Sequence, residues 1–179
     1  MAVGLQCHAD MAINGGDIFH HDRPSRTSVV RCMEAMRKYV FGPRPVRVNI
    51  VSDQSKDFAG PTCFDRANFA DPNLSVQLPV FAVTGNHDPA VRDHADSLPI
   101  SALDVLQTAG LLNLYGRQRV NDRVVVRPVL LRKGRVQLAL YGMANMRDQR
   151  LAGLVRKGRV LFAKPPAGSG HWYSVLVVH

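Results

Sequence analysis

Pro79-Val80-Phe81-Ala82-Val83-Thr84 is a β-branched and aromatic run that stops on Gly85-Asn86-His87-Asp88. A continuous apolar run of this length, bounded by turn-forming residues, reads as a strand buried on both faces, the kind found in parallel sheets covered by helices. The four residues after it suit a turn by type, and they set an amide, an imidazole and a carboxylate directly beyond the strand's end. Upstream, Asp10-Met-Ala-Ile-Asn14 repeats the pattern in shorter form. It reads as a second buried strand, ended by Gly15-Gly16-Asp17, where two glycines permit a tight turn and leave a carboxylate at the strand's end.

Helical periodicity separates these two strands. Pro24 and Ser25 precede Thr27 to Val40, in which Val29, Cys32, Met33, Met36 and Val40 recur at three- and four-residue steps before Gly42-Pro43. That spacing predicts an amphipathic helix with Met33 and Met36 on its core side. After the second strand, Ser101 with Asp104 has the form of a capping box, and Leu103, Leu106 and Leu111 around Gly110 predict a short helix with a glycine stop. Alternation of strand and helix defines the α/β class.

Elsewhere the pattern changes. Residues 44–78 are polar and rich in Pro, Asp and Asn, with one alternating set, Val46, Val48 and Ile50, which predicts a single strand inside a long insertion. Arg123–Val126, Val129–Arg132 and Val136–Tyr141 read as strands, the last two joined by a turn at Lys133-Gly134. Lys164–Gly170 is a loop by composition, and Trp172–Val178 is a final apolar run, read as buried, that leads into His179. No internal repeat argues for a solenoid or propeller.

Composition narrows the class further. With 179 residues, 46% hydrophobic and 21% charged, the chain reads as one soluble domain. No apolar run approaches the roughly 18–20 residues of a bilayer span, so no membrane association is expected. The start carries no pattern of a secretory or transit peptide, which makes a reducing compartment the expectation. Cys7, Cys32 and Cys63 are odd in number and widely spaced, fitting neither a disulfide framework nor a zinc knuckle. The formal charge is +9, and from Arg117 to Lys164 thirteen basic residues face only Asp122 and Asp148, a local +11 that leaves −2 for the rest. This concentration fits a surface that follows a phosphate backbone and equally a solvated hairpin face.

Three strands read as buried thus end in polar groups: Asp17, Asn86 with His87, and His179. Ligands of open α/β sheets gather outside the carboxyl ends of strands. A carboxylate oxygen, an amide oxygen and an imidazole nitrogen form a mixed set suited to Mn²⁺, Fe or Zn²⁺ rather than to Ca²⁺ or a thiolate site. Singly each motif is weak. Together they point to a metal centre.

With these residues in place the chain resembles the calcineurin-type metallophosphoesterases, in Gly16-Asp17-Ile18-Phe19-His20, Gly85-Asn86-His87-Asp88 and the strand ending at His179. Arg23-Pro24-Ser25-Arg26, Ser52-Asp53-Gln54-Ser55, Ala102-Leu103-Asp104-Val105-Leu106, Pro128-Val129-Leu130-Leu131-Arg132-Lys133-Gly134 and Ala139-Leu140-Tyr141-Gly142 narrow the likeness. They resemble the nuclease domain of the meiotic-recombination-eleven type of double-strand-break repair nucleases, over about Asp10 to His179. The resemblance implies a four-layer αββα sandwich and two Mn²⁺ ions that activate a water for attack on a DNA phosphodiester. It implies Asp17 as the bridging ligand, Asn86 and His179 as ligands, His87 as the catalytic group that steadies the phosphate or protonates the leaving oxygen, and Asp88 as its orienting partner. His20, Arg23, Arg26, Arg132 and Lys133 would contact nucleic acid. Implied partners are DNA, an SMC-like coiled-coil ATPase, a nuclear adaptor and a second copy of the chain, in the nucleus.

The departures carry expectations of their own. The family's Asp-x-His motif has no counterpart before Asp17, since His8-Ala9-Asp10 belongs at the far end of the first strand, and its later Gly-His-x-His pair is absent. Residues 1–179 therefore read as a partial metallophosphoesterase domain, incomplete at both ends. Three ligands hold at most one ion weakly, so no nuclease activity is expected of the chain alone. A missing strand would also leave an apolar edge open. Two other readings fit the sequence: a non-catalytic DNA- or subunit-binding module, and a different calcineurin-type phosphoesterase.

Overall fold

The computed structural model describes residues 1–61, 65–92, 94–95, 97–118, 122–168 and 170–179. Its elements are α1 (Ala2–Gln6), β1 (Ala12–Asn14), α2 (Arg26–Val40), β2 (Asn49–Ile50), α3 (Gln54–Asp57), a 3₁₀ turn at Asn68–Ala70, β3 (Val80–Ala82), α4 (Ala102–Thr108) and β4 (Asn113–Leu114). They continue with β5 (Val124–Val126), β6 (Pro128–Lys133), β7 (Val136–Met143), α5 (Asp148–Arg156), β8 (Val160–Phe162) and β9 (Tyr173–Val178). Cys63 lies outside the described residues; Cys7 is exposed, and burial pushes the Cys32 thiol above its ordinary pKa.

Two sheets face one another. The first, in the order β1-β3-β4, is parallel, with Ile13 opposite Phe81 and Phe81 opposite Asn113. The second, β2-β6-β7-β9, is mixed: β6 and β7 form a hairpin closed at Lys133–Val136, and β9 runs parallel to β7. Phe81, Val83 and Tyr115 of the first layer meet Val129, Leu131 and Leu140 of the second in one buried cluster. Phe81 is fully buried, with the rings of Phe58, Phe69 and Tyr115 around it at 6.2–6.5 Å. Burying a ring of that size stabilises the fold by about 2–3 kcal/mol.

Each outer face has its own cover. Met36 and Val40 of α2 and Leu103 and Leu106 of α4 pack on Val80, Ala82, Leu112 and Leu114. Ser25 caps α2 by accepting from the Ser28 amide at 3.1 Å, which contributes about 1 kcal/mol. The capping box expected at Ser101 is present, and the Asp104 carboxylate within it also pairs with Arg117. On the far side Leu154 of α5, with Val124 and Val126 of the parallel β5–β8 ribbon, covers Leu130, Ala139 and Tyr141. The layers read helix, sheet, sheet, helix, the expected αββα sandwich.

Residues 44–78 do more than connect. β2 pairs with β6, and Val48, Phe58 and Ala67 join the core between the sheets.

Two expectations need correction. The last strand, read as buried, is an exposed edge: Tyr173, Leu176 and Val178 are 60%, 48% and 51% exposed, because β9 pairs with β7 on one side and no element covers it among the described residues. β1 is likewise an edge, with Ile13 42% exposed. α1, α5 and β8 were not anticipated from sequence; in α5 the short apolar set Leu151, Leu154 and Val155 is interrupted by Gly153, and only Leu154 is buried. No helix among the described residues is long and apolar enough to cross a membrane.

Candidate metal centre

The chain leaves β1 through a turn in which the Asn14 side chain accepts from the Gly16 amide at 2.9 Å. Gly16 has φ +105° and Asp17 φ +52°, a left-handed backbone that costs a residue with a Cβ about 1–2 kcal/mol. The bonds around Asp17 hold it there. Its amide donates to Asp88 Oδ2 at 2.8 Å, and its Oδ1 accepts from the His87 amide at 2.9 Å. Asp88 Oδ2 also accepts from the Gly85 amide at 2.9 Å, so one carboxylate, only 4% exposed, binds the loop after β1 to the loop after β3. The loops touch backbone to backbone: a Cβ on Gly16 would lie 2.7 Å from Gly85 Cα, and one on Gly85 would lie 2.7 Å from Asp17 N.

His179, directly after β9, completes the cluster from the second sheet. Its Nδ1 is 2.8 Å from the Gly15 carbonyl, which can only accept, so Nδ1 carries the proton. Nε2 lies 2.7 Å from Asn86 Oδ1 and 3.2 Å from Asp17 Oδ2, and in the neutral ring it turns a lone pair toward both. With the ring in that form a carboxylate oxygen, an amide oxygen and an imidazole nitrogen converge, a donor set that suits a cation. A histidine whose other ring nitrogen is held on a backbone carbonyl is the usual arrangement of a metal ligand. Among the described residues no group of three or more His, Cys, Asp and Glu side chains is placed to hold a metal ion, and here an amide supplies the third donor.

The remaining predicted residues divide by position. Phe19 is buried against the helical layer and anchors the loop after Asp17, leaving exposed His20 with its ring 5.7 Å from that of His87. The partnership of His20 with His87 was not legible in sequence, nor was the Gly15 carbonyl beneath His179. Asp88 does not orient the His87 ring, as the resemblance implied; its Oδ2 is spent on two backbone amides, and its Oδ1 is buried without a partner among the described residues. Arg23 and Arg26 are exposed between His20 and the first turn of α2. Arg132 and Lys133 end β6 at the opposite pole, about 20 Å away by strand rise, where Lys133 Nζ pairs with Asp10 Oδ2 at 2.6 Å. His8 and Asp10 lie at that pole too.

A four-layer αββα sandwich that gathers polar groups at the carboxyl ends of its strands is consistent with the metallophosphoesterase fold. No protein-family model matches the chain. Its whole length is nevertheless similar to curated proteins: 40% identical over 179 residues to the rat double-strand break repair protein MRE11, and 38% over 180 residues to the Neurospora crassa double-strand break repair protein mus-23. It is 35% identical over 179 residues to the Caenorhabditis elegans double-strand break repair protein mre-11. Each match covers 100% of this chain and 23–25% of the relative, so the chain spans about a quarter of their length. The chain belongs to the MRE11 family of double-strand break repair proteins.

Proposed function

We propose that this chain carries part of a Mn²⁺-dependent DNA nuclease centre acting in double-strand break repair. The observation that carries the reading is the convergence of Asp17 Oδ2, Asn86 Oδ1 and His179 Nε2 in a chain matched throughout by double-strand break repair proteins. Asp17, Asn86 and His179 would hold one divalent cation, which when bound supplies Lewis acidity and an activated water. His87, held through its amide on Asp17, presents its ring beside His20 at the rim, where an imidazole can steady a phosphate or return a proton to a leaving oxygen. Arg23 and Arg26, exposed on the same side, suit contacts to the backbone of a polyanion.

Three donors are too few for two like-charged ions, so the chain alone binds one Mn²⁺ weakly and does not turn over DNA. The family reading extends to a coiled-coil ATPase and a nuclear adaptor as partners, to a homodimer and to the nucleus. The test combines Mn²⁺ titration followed by electron paramagnetic resonance with incubation on end-labelled linear duplex. One weak Mn²⁺ site, lost in Asp17→Ala and His179→Ala, with intact DNA, is expected. Absence of Mn²⁺ binding would remove the proposal, and Mn²⁺-dependent cleavage by this chain alone would overturn its one-ion form. The +11 segment favours a second reading, a DNA-binding module, which predicts binding that falls steeply with salt and ignores chelator.

A further inference from the structure

At the amino ends of the strands lies a cavity of about 230 Å³ lined by His8, Asp10, Arg44, Arg47, Gln77 and Lys133, among others. We infer that this cavity is a binding site for a small phosphate-bearing anion, separate from the metal centre.

Charge is the first reason. Arg44, Arg47 and Lys133 face a single carboxylate, Asp10, and His8 adds a group that can take a proton. Like charges drawn together around a concave, partly desolvated surface repel one another, and an anion relieves that repulsion. Asp10 does not neutralise the cluster; it fixes one member, with Lys133 Nζ at 2.6 Å, and an ammonium has two further protons to give.

Pre-organisation is the second. Arg44 Nη2 donates to the Ala9 carbonyl at 2.7 Å and to the Gln77 carbonyl at 3.0 Å, so the plane of its guanidinium is fixed from behind. Nε and Nη1 have no partner among the described residues. A fixed guanidinium with unused donors is the group best matched to the oxygens of a phosphate. Arg47, three residues on and exposed, makes no hydrogen bond or ion pair among the described residues and so has its donors available to an anion.

Size and place are the third. The volume falls below the roughly 300–1,000 Å³ typical of sites for drug-sized ligands, and suits a phosphate with a small substituent. β6 separates this pole from the metal centre by about 20 Å, so an anion here is not the phosphodiester approached by Asp17 and His179.

The test is a calorimetric titration of the purified chain, in EDTA at low ionic strength, with inorganic phosphate, pyrophosphate and AMP. Saturable one-to-one binding that weakens with salt is expected. Arg47→Glu is expected to weaken it about tenfold or more, and Lys133→Gln by a smaller factor. Arg47 is exposed, so its substitution should leave the melting temperature unchanged, and Asp17→Ala should leave anion binding intact. AMP and phosphate of equal affinity would mean that the phosphate alone is read, and tighter AMP would extend the site to the nucleoside. Lack of saturable binding in the millimolar range, undiminished binding by Arg47→Glu, or loss of binding in Asp17→Ala would each overturn the inference. The last would locate the anion at the metal centre, without bearing on whether that centre binds Mn²⁺.

Discussion

At the carboxyl ends of β1 and β3 a carboxylate joins the two chain segments; at their amino ends a guanidinium does. Asp88 accepts two backbone amides, those of Asp17 and Gly85, and Arg44 donates to two backbone carbonyls, those of Ala9 and Gln77. Both solve one problem, the orphaned main-chain groups where parallel strands stop pairing. They solve it with opposite charge and leave opposite surpluses. Lone pairs of Asp17, Asn86 and His179 converge at one pole, and unused N–H donors of Arg44 and Lys133 at the other. One pole therefore suits a cation and the other an anion.

The comparison breaks most readily at Asp88. In Asp88→Ala two amides in a closed site lose their acceptor, and a destabilisation of about 3–5 kcal/mol in urea unfolding is expected, together with loss of Mn²⁺ binding. A change below about 1 kcal/mol would mean that the carboxylate does not hold the loops together. Arg44→Gln should cost less, about 1–3 kcal/mol by the same measurement, because Arg44 is only half-buried and water can reach the Ala9 and Gln77 carbonyls through the cavity. A cost as large as that of Asp88→Ala would show the two poles to be equally closed.

Asp57 sharpens the contrast from a third position. It accepts from the Ser52 hydroxyl at 2.5 Å and, among the described residues, from no backbone amide, and burial pushes its pKa up from 3.8 to about 6. With the folded value above the unfolded one, the folded chain binds the proton more tightly. The associated stability is complete below about pH 4 and is lost as pH rises through about 6. Wild-type urea midpoints should therefore fall across that window relative to those of Asp57→Asn. Parallel midpoints would show that the hydroxyl alone is enough to hold the ionised form.

What the sequence made legible was local. The run from Pro79 to Asp88, the stripe of α2, the Ser101–Asp104 box and the turn after Lys133 each declare themselves within a few residues, as do the strand ends at Asp17 and His179; the layer order came only with the family resemblance. What it hid depends on distance. Apolar alternation in Tyr173–Val178 is the same whether a strand is covered or bare, so edge exposure was invisible. Asp88 is three residues from Gly85 but 71 from Asp17, and its neighbour His87 was the nearer guess as its partner. Arg44 bridges backbone 35 and 33 residues away, so its role in joining strands leaves no local trace.

The bare edge has a consequence in kinetics. β9, Tyr-Ser-Val-Leu-Val-Val, has no charge, proline or bulge to discourage a visiting strand, and its outer rim of amides and carbonyls is open in the native state. Loss of soluble protein along this route needs no unfolding and is limited by encounter, so its rate should rise with at least the square of concentration. Dilution, rather than cooling, is then what prolongs the life of a solution of this chain.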